Sequence, residues 1–232
     1  MIQKTILTIA AHPDDEILGC GATMARLAAE GCEIHILILA EGLTSRQDTR
    51  DRKSKLKELS ELSQTASLAG KEVGAKTIEV LDFPDNRMDS VDRLDIIKVI
   101  EKKIEKIKPQ VVFTHNKSDL NIDHRIVCDS VITACRPFPE QTVKEIYFFE
   151  VPSSTEWQIG NQAEAAFVPN YFVSIEDEYL QKKMNALKIY SSEMRTFPHS
   201  RSIEAVAALA VWRGASIGFK AAEAFSIGRI FV

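Results

Sequence analysis

Two segments of this chain combine histidine with carboxylate side chains. The first reads HPDDE at residues 12–16, and the second reads NKSDLNIDH at residues 116–124. Within them, His12, Asp15 and His124 offer two imidazoles and one carboxylate, a set suited to a catalytic zinc that keeps one position for water. A zinc ion held in this way lowers the pKa of its water to about 7 and polarises a carbonyl oxygen. The two segments therefore predict a hydrolytic metal centre.

Asp14 is a carboxylate of the first segment that this ligand set leaves free next to the metal ion. Next to a metal ion, such a group is suited to take a proton from water and to return it to a leaving group. A plainer interpretation applies to the first segment alone, since acidic residues at the start of a helix complement the helix dipole. Pairing with the second segment favours the metal site.

Strand and helix signals alternate along the first two thirds of the chain. Five short apolar runs have the character of buried parallel strands: Thr5 to Ala11, Glu33 to Ala40, Thr77 to Leu81, Gln110 to Thr114 and Lys144 to Val151. Helical spacing lies between them, at Ile17 to Glu30, from the end of the loop Thr44 to Ser54 to about Gly70, at Val91 to Lys108 and at His124 to Cys135. This alternation implies right-handed crossovers and a mostly parallel sheet flanked by helices, a three-layer αβα arrangement of the α/β class.

Each of the two polar segments directly follows a predicted strand, the first or the fourth. Ligands of an open parallel sheet bind beyond the carboxyl ends of its strands, so both segments are expected at one rim. After the fifth strand the pattern weakens and predicts one strand and two helices: Tyr171 to Ser174, Asp177 to Ser191 and Ser202 to Trp212. We therefore predict a single domain over residues 1–232, with a core of residues 1–151 and a C-terminal elaboration of residues 152–232 packed on it.

The composition is that of an ordinary soluble globular domain. The 232 residues include 29 Lys and Arg against 33 Asp and Glu, a formal charge of −4, and this mild acidity gives no support for nucleic-acid binding. No apolar run approaches the roughly 18 residues of a membrane-spanning helix. With no export signal, the four cysteines are interpreted as reduced thiols of a cytoplasmic protein.

Residues 11–16, AHPDDE, resemble the signature of the PIG-L/LmbE-like family of metal-dependent de-N-acetylases. The four residues NIDH at 121–124 resemble the HxDH-type element of that family. Further matches are FPDNR at 83–87, ALKIYSS at 186–192 and AEAF at 222–225. Together these motifs cover most of the chain in the order in which the family carries them.

The resemblance implies a Rossmann-like fold and the zinc-dependent (Zn2+) hydrolysis of an N-acetyl group, typically on an N-acetylglucosamine-type sugar or glycoconjugate. It assigns the metal to the three ligands named above and makes Asp14 the general base and then the general acid. Asp123 would orient neighbouring groups. Asp85 aligns with a position at which family members hold sugar hydroxyls.

At Asn121 the sequence departs from the family, because many relatives carry there a histidine that stabilises the oxyanion. Asn donates a hydrogen bond but brings no positive charge. His115 is a candidate replacement, and the alternative is a partly buried structural histidine. Arg46, at the same rim, offers a planar donor fork for an anionic or hydroxylated part of the substrate, with a solvated loop charge as its alternative. His199 is a weaker candidate that would close over the pocket from the C-terminal segment.

A dinucleotide-binding dehydrogenase is one competing class of protein. Gly19 and Gly21 form GxG, and Glu41 follows about twenty residues later, as the dinucleotide fingerprint requires. Met24 stands in place of the third glycine, however. The three carboxylates of residues 12–16 would also repel a pyrophosphate.

A serine hydrolase is the other competing class, because GASIG at residues 214–218 matches GxSxG. A nucleophile elbow needs a strand before it and a later acid and histidine. No histidine follows Ser216. We interpret these glycines as a site of tight helix packing or a helix break.

The sequence thus predicts a zinc hydrolase that releases acetate from an N-acetylated sugar. The alternatives are an amidohydrolase on a non-sugar amide and an Fe2+ enzyme, because two histidines and one carboxylate also suit iron. A non-enzymatic binding module is a more distant alternative. The identity of the sugar and the oligomeric state stay open, although such rims are often completed by a neighbouring subunit of a homo-oligomer.

Overall fold

A computed structural model describes residues 3–159, 166–175 and 177–231. Its seven strands are β1 (Thr5–Ala10), β2 (Glu33–Ala40), β3 (Thr77–Phe83), β4 (Val111–His115), β5 (Glu145–Phe149), β6 (Tyr171–Ser174) and β7 (Ala222–Ile230). Its α-helices are α1 (Asp15–Ala29), α2 (Leu56–Glu72), α3 (Arg93–Ile107), α4 (Ile122–Ala134), α5 (Asp177–Ile189) and α6 (Ile203–Ala215).

One sheet contains all seven strands in the order β3-β2-β1-β4-β5-β7-β6. The first five in this order pair in parallel, whereas β7 runs antiparallel to both β5 and β6. The predicted α/β fold with a mostly parallel sheet is confirmed. The direction of winding reverses between β1 and β4, the place where a doubly wound sheet opens a crevice at its carboxyl edge.

Strand β7 is the element that the sequence pattern does not reveal. It reads AEAFSIGRI, in which alanines, a glutamate and a glycine blur the alternation of a half-buried strand. Its hydrogen bonds to β5 and β6 are long-range pairings that local propensity does not encode. Residues 152–231 thus contribute two strands to the same sheet, and the division of the chain at residue 151 stays a prediction.

The sheet lies between two layers of helices. On β1, Ile6 faces a cluster that includes Met24 of α1 and residues of α2 and α5. On the other face of the same strand, Leu7 and Ile9 pack against a second cluster, which includes Ile100 of α3 and residues of α4. Because successive side chains of a strand point to opposite faces, both faces are apolar and buried.

The parallel strands deliver both polar segments to the same edge of the sheet. The first segment follows β1 and enters α1, and the second follows β4 and enters α4. Asn121 is the N-cap of α4, where its side-chain oxygen accepts a hydrogen bond from the backbone N–H of Asp123 at 2.8 Å. The chemistry-bearing residues therefore lie on short turns that are held by buried strands.

Helix α1 is broken in the middle. Cys20 has φ −147° and ψ 23°, which interrupts the helical backbone. Glu223 of β7 accepts hydrogen bonds from the backbone N–H groups of Ala22 and Thr23, at 3.2 and 2.7 Å. The carboxylate thereby caps the second half of the helix, as negative charge does at a helix N-terminus.

The motif at residues 214–218 lies at the C-terminal end of α6, where Ser216 is the C-cap. The helix precedes it in place of a strand, so the arrangement is not a nucleophile elbow. Among the described residues, no helix has both the length and the apolar character needed to cross a membrane.

Candidate metal centre

Three side chains from the two segments converge on one point. His12 Nδ1 lies 3.2 Å from Asp15 Oδ2 and 3.3 Å from His124 Nε2. The same Asp15 oxygen lies 3.1 Å from His124 Nε2. His12 keeps 12% of its side-chain surface exposed, and the other two side chains keep 2% each, so the group opens to solvent on the His12 side.

The spacing of these donor atoms fits a divalent metal ion. A zinc ion lies about 2.0–2.1 Å from histidine nitrogen and carboxylate oxygen, which sets tetrahedral ligand atoms about 3.3–3.4 Å apart. The three atoms form a nearly equilateral triangle with sides close to that spacing. One ion near the centre of the triangle would reach all three and keep a fourth position free. His12, Asp15 and His124 are thus a candidate ligand set.

Each histidine of the set directs its other ring nitrogen to a carboxylate. His12 Nε2 lies 3.1 Å from Asp123 Oδ2, and His124 Nδ1 lies 3.1 Å from Asp119 Oδ1. A carboxylate behind a metal-ligating histidine fixes the ring and its tautomer and raises the basicity of the ligand. His12 also belongs to a second acidic group with Asp85 and Asp123, which we interpret as this supporting layer.

Asp119 is a site residue that the sequence analysis did not single out. It is fully buried and accepts hydrogen bonds from Ser154 and Thr155 as well as from His124. Burial alone would raise the pKa of Asp119, but these partners outweigh burial and lower it to about 2. Its position in an acidic loop was a signal, although nothing in the sequence separates it from a solvated loop aspartate.

The charged side chains of this group shift one another's pKa values. Burial alone would lower the pKa of His124, but Asp15 and Asp119 outweigh burial and raise it to about 9. Burial alone would likewise raise the pKa of Asp15, yet the imidazoles of His124 and His12 hold it well below its usual range. Without a metal, the carboxylates thus stabilise protonated imidazole, and a metal ion would have to displace that proton.

Asp14 adopts a positive φ of 108°, a backbone conformation that few residues other than glycine accept. The backbone N–H of Asp14 donates to the buried carboxylate of Glu16 at 3.1 Å, which supports this turn. Its carboxylate accepts a hydrogen bond from Arg201 Nη1 at 2.9 Å. Burial raises the pKa of the Asp14 carboxyl well above its usual range, and Asp15 adds to the rise, although Arg201 opposes it.

Arg201 is the second residue of the candidate site that the sequence analysis missed. It lies 187 positions from Asp14 along the chain and belongs to no motif. Its Nε donates to Ser153 Oγ at 2.8 Å, so the guanidinium is fixed from two sides. Only the packing of the C-terminal segment against the β1 turn reveals this contact.

A cavity of about 220 Å³ opens beside the candidate ligands. Asp85, Asn121 and Arg46 all line it, so the structure brings three of the four predicted substrate-binding residues to the site. Asp85 is nearly buried and accepts hydrogen bonds from the backbone N–H of Ser45 and from Asn86 Nδ2, at 3.1 and 3.0 Å. The roles of these residues stay predictions.

Arg46 already has a partner in the cavity wall. Its Nη2 contacts both carboxylate oxygens of Glu193, at 2.9 and 2.6 Å. Its side chain is 48% exposed, and the glutamate side chain is 9% exposed. Arg46 is therefore neither a free solvated charge nor a free anion-binding group.

His115 lies beneath the candidate ligands and does not line the cavity. Its ring is fully buried and stacks on His124 with the ring centroids 3.9 Å apart. Its Nε2 accepts a hydrogen bond from the backbone N–H of Ala11 at 2.8 Å. Burial, together with His124, holds the pKa of His115 well below its usual range. This geometry favours the structural alternative over the replacement of the family histidine.

His199 lies near the cavity rather than in its wall, with its ring 5.6 Å from that of Trp157 in an edge-to-face arrangement. Glu41, the acidic residue of the dinucleotide alternative, is bound by Arg50 at 2.9 Å and by Thr44 at 2.6 Å. Those contacts occupy the carboxylate that a ribose would need. The irregular segment Ser153 to Pro169, which follows the fifth predicted strand, includes residues 160–165, which lie outside the described residues.

The sequence of this chain is similar to known deacetylases. Residues 7–135 match the sequence profile of the PIG-L family, described as GlcNAc-PI de-N-acetylase. The chain is 31% identical over 195 residues to the uncharacterized deacetylase YaiS of Escherichia coli (strain K12), which covers 82% of this chain and 92% of YaiS. The matched residues of the PIG-L family include both polar segments.

Two solved structures illustrate how widely this fold is shared. The N,N'-diacetylchitobiose deacetylase of Pyrococcus horikoshii superposes with a TM-score of 0.75 at 20% identity, over 98% of this chain and 85% of the other. GalB of Pseudomonas putida, a 4-carboxy-2-hydroxymuconate hydratase, superposes with a TM-score of 0.77 at 19% identity, over 99% and 98%. Since the two neighbours carry out different reactions, the likeness establishes the fold, and the chemistry has to be argued from the site.

Proposed function

This chain belongs to the PIG-L (LmbE-like) deacetylase family, and from that membership we propose that it is a zinc-dependent hydrolase that releases acetate from an N-acetylated sugar or glycoconjugate. The observation that carries the proposal is the convergence of His12, Asp15 and His124 at 3.1 to 3.3 Å beside the carboxylate of Asp14, which lines the same cavity. A cytoplasmic location and a homo-oligomeric assembly stay predictions of the sequence.

A zinc ion at these three ligands would supply Lewis acidity toward a carbonyl oxygen and would make water more acidic. The chain itself contributes the orientation of the ligands. Asp123 and Asp119 hold the two rings from behind, so that His12 Nδ1 and His124 Nε2 face the common point. This arrangement supports the prediction that Asp123 orients neighbouring groups.

Asp14 is the proposed general base and then the general acid. Its carboxylate is next in the chain to the ligand Asp15 and lines the same cavity. The elevated pKa that burial gives this carboxyl favours a group that accepts a proton from water and later returns it to the leaving amine. Arg201 keeps the carboxylate in place during both transfers.

Asn121 is the proposed donor to the acetamide carbonyl. Its Nδ2 carries two hydrogens, and one of them is donated to Asn86 Oδ1 at 2.7 Å. The other is available to an oxygen in the cavity, where a fixed amide stabilises developing negative charge. A neutral amide does so less strongly than the imidazolium of a histidine would.

The direct test is acetate release from N-acetylglucosamine and N,N'-diacetylchitobiose by the metal-free protein after addition of zinc. We expect turnover that depends on zinc and stops when a chelator is added in excess. Parallel reactions with Fe2+ under anaerobic conditions, and with a non-sugar acetamide, test the two alternatives. Absence of acetate from every N-acetyl sugar, by protein that binds one zinc per chain, would refute the proposed function.

A further inference from the structure

A short loop carries two arginines into the cavity wall. The backbone N–H of Arg195 donates to the carbonyl oxygen of Arg201 at 3.2 Å, which closes residues 195–201 into a loop. Arg195 and Arg201, at the two ends of this loop, both line the cavity. The loop therefore presents two guanidinium groups to whatever the cavity binds.

The three arginines of the cavity differ in what they contact. Arg201 is paired with Asp14 at 2.9 Å, and Arg46 is paired with Glu193 at 2.6 Å. Arg195 Nη1 instead donates to the backbone carbonyls of Ser192 and Met194, at 3.1 and 2.9 Å. Within residues 3–159, 166–175 and 177–231, no carboxylate forms an ion pair with Arg195. It is the cavity arginine whose charge has no counter-charge in that part of the chain.

Two hydrogen bonds to backbone carbonyls hold the Arg195 side chain in place, but they do not neutralise its positive charge. A guanidinium has five N–H donors in a fixed fork, which matches the oxygens of a phosphate or a carboxylate. Because the residue is exposed at the cavity wall, such an oxygen group can reach the remaining donors from the solvent side.

We propose that Arg195 binds an anionic oxygen group, a phosphate or a carboxylate, that the N-acetylated sugar substrate carries. The inference rests on the proposed function and narrows its substrate class. The remaining wall supports it, since Arg201 and Arg46 are already paired with Asp14 and Glu193, and Asp85 adds a further negative charge. Among the described residues of the wall, Arg195 is thus the guanidinium left to bind a negative charge.

The first experiment compares substrates on the zinc-loaded wild-type protein at low ionic strength. N-Acetylglucosamine is the neutral probe. N-Acetylglucosamine 1-phosphate and 6-phosphate carry the phosphate at two positions, and N-acetylmuramic acid carries a carboxylate. We expect kcat/KM for at least one anionic probe to exceed that of the neutral probe by roughly tenfold, the scale of one charge-assisted contact. The advantage should shrink as salt is added.

The second experiment asks whether Arg195 is the source of that advantage. Arg195→Met should abolish the preference for the anionic probe while it leaves kcat/KM for N-acetylglucosamine within about twofold. Arg195→Lys keeps the charge and loses the fork, so it should retain part of the preference. Arg87→Met is the matched control, because Arg87 Nη2 also donates to two backbone carbonyls, at 3.0 Å each, but lies outside the cavity wall. The ratio of the two kcat/KM values should be unchanged in that variant.

Three results would overturn the inference. One is turnover of N-acetylglucosamine with no gain for any anionic probe, and another is a gain that survives in Arg195→Met. The third is an equal loss of the ratio in Arg87→Met. If no probe releases acetate from the zinc-loaded protein, it is the proposed function that has failed, so the two failures are distinguishable.

Discussion

Two clusters of buried charge contact the same helix, α1, and they differ in how their polar atoms are satisfied. At the start of the helix, the three candidate ligand atoms face one another at 3.1 to 3.3 Å beside the cavity. At the break in the helix, Lys183 donates to Glu223 Oε1 at 2.6 Å and to the carbonyl oxygen of Leu18 at 2.7 Å. Both side chains of that ion pair are 5% exposed.

Lys183 and Glu223, which we call the break cluster, find hydrogen-bond partners within the protein. Glu223 accepts from two backbone N–H groups that the break at Cys20 leaves free, and Lys183 binds a carbonyl that the break also leaves free. At the first cluster, by contrast, two imidazole nitrogens and one carboxylate oxygen face one another at the spacing of metal ligands. The comparison teaches that burial of charge does not identify a reactive site. What identifies one is a set of atoms whose geometry is complete only with a further ligand.

A substitution at Asp14 tests whether the first cluster is the reactive one, and we expect it to have the largest effect on activity. Asp14→Asn should lower kcat for acetate release by about 10³-fold, because the amide cannot carry the proton. Asn is among the residues that tolerate positive φ best, so the turn should persist. The measurements are acetate release and bound zinc per chain. Activity above a tenth of the wild-type value with full zinc content would remove Asp14 from its proposed role.

At the break in α1, a carboxylate-to-amide substitution should lower the stability of the protein and leave its turnover unchanged. Glu223→Gln leaves Lys183 as an uncompensated buried charge and should lower the free energy of unfolding by about 3 kcal/mol or more. The double variant Lys183→Met/Glu223→Gln removes that charge and should recover part of the loss. Urea denaturation measures both. If kcat of the folded protein fell as far as in Asp14→Asn, the distinction between the two clusters would be wrong.

Asp119 and Asp123, which contact the second ring nitrogens of the two histidines, give a third test. They are buried like the break cluster, but we expect them to act on zinc binding through the histidines. Asp119→Asn should weaken zinc binding by about 10- to 100-fold, since the carboxylate no longer orients and polarises His124. Asp129→Asn is the control, because the ion pairs of Asp129 among the described residues are with Lys117 and Arg93, at the surface. Competition with a chromophoric chelator gives both affinities. Equal affinity in Asp119→Asn and the wild type would contradict the supporting role.

Proton competition should appear at the first cluster when the pH is varied, without any substitution. His124 has a pKa raised to about 9 in the metal-free protein, and zinc needs its neutral imidazole. Burial alone would lower the pKa of His12 as well, but Asp123 and Asp15 outweigh burial and raise it well above its usual range. Binding below pH 9 must therefore displace protons, so the affinity should rise about tenfold per unit of pH for each imidazole that loses one, between pH 6.5 and 8.5. Chelator competition across this range measures the slope. A Kd that does not change with pH would show that the carboxylates do not hold a proton on His124.

Much of the fold was predictable because its signals are local. The strand at Glu33–Ala40 was predicted with its observed limits, and the predicted helix starts at the two polar segments lie within two residues of those of α1 and α4. Buried parallel strands are continuous apolar runs, and their helices carry apolar residues at helical spacing. Strand β7 escaped prediction since its place beside β5 depends on pairing with distant residues.

The sequence by itself determined which atoms are available for chemistry: two imidazoles and adjacent carboxylates at the ends of two strands that a parallel sheet brings to one edge. It did not determine which charges meet. These pairings follow from contacts across 5 to 187 positions of the chain. They include the hydrogen bond of Arg201 to Asp14, that of His124 to Asp119, the ion pair of Arg46 with Glu193, and the hydrogen bond that keeps His115 beneath the cavity. Such pairings depend on how the C-terminal segment and the loops pack on the sheet, and side-chain contacts of this range leave no periodic signal in the sequence.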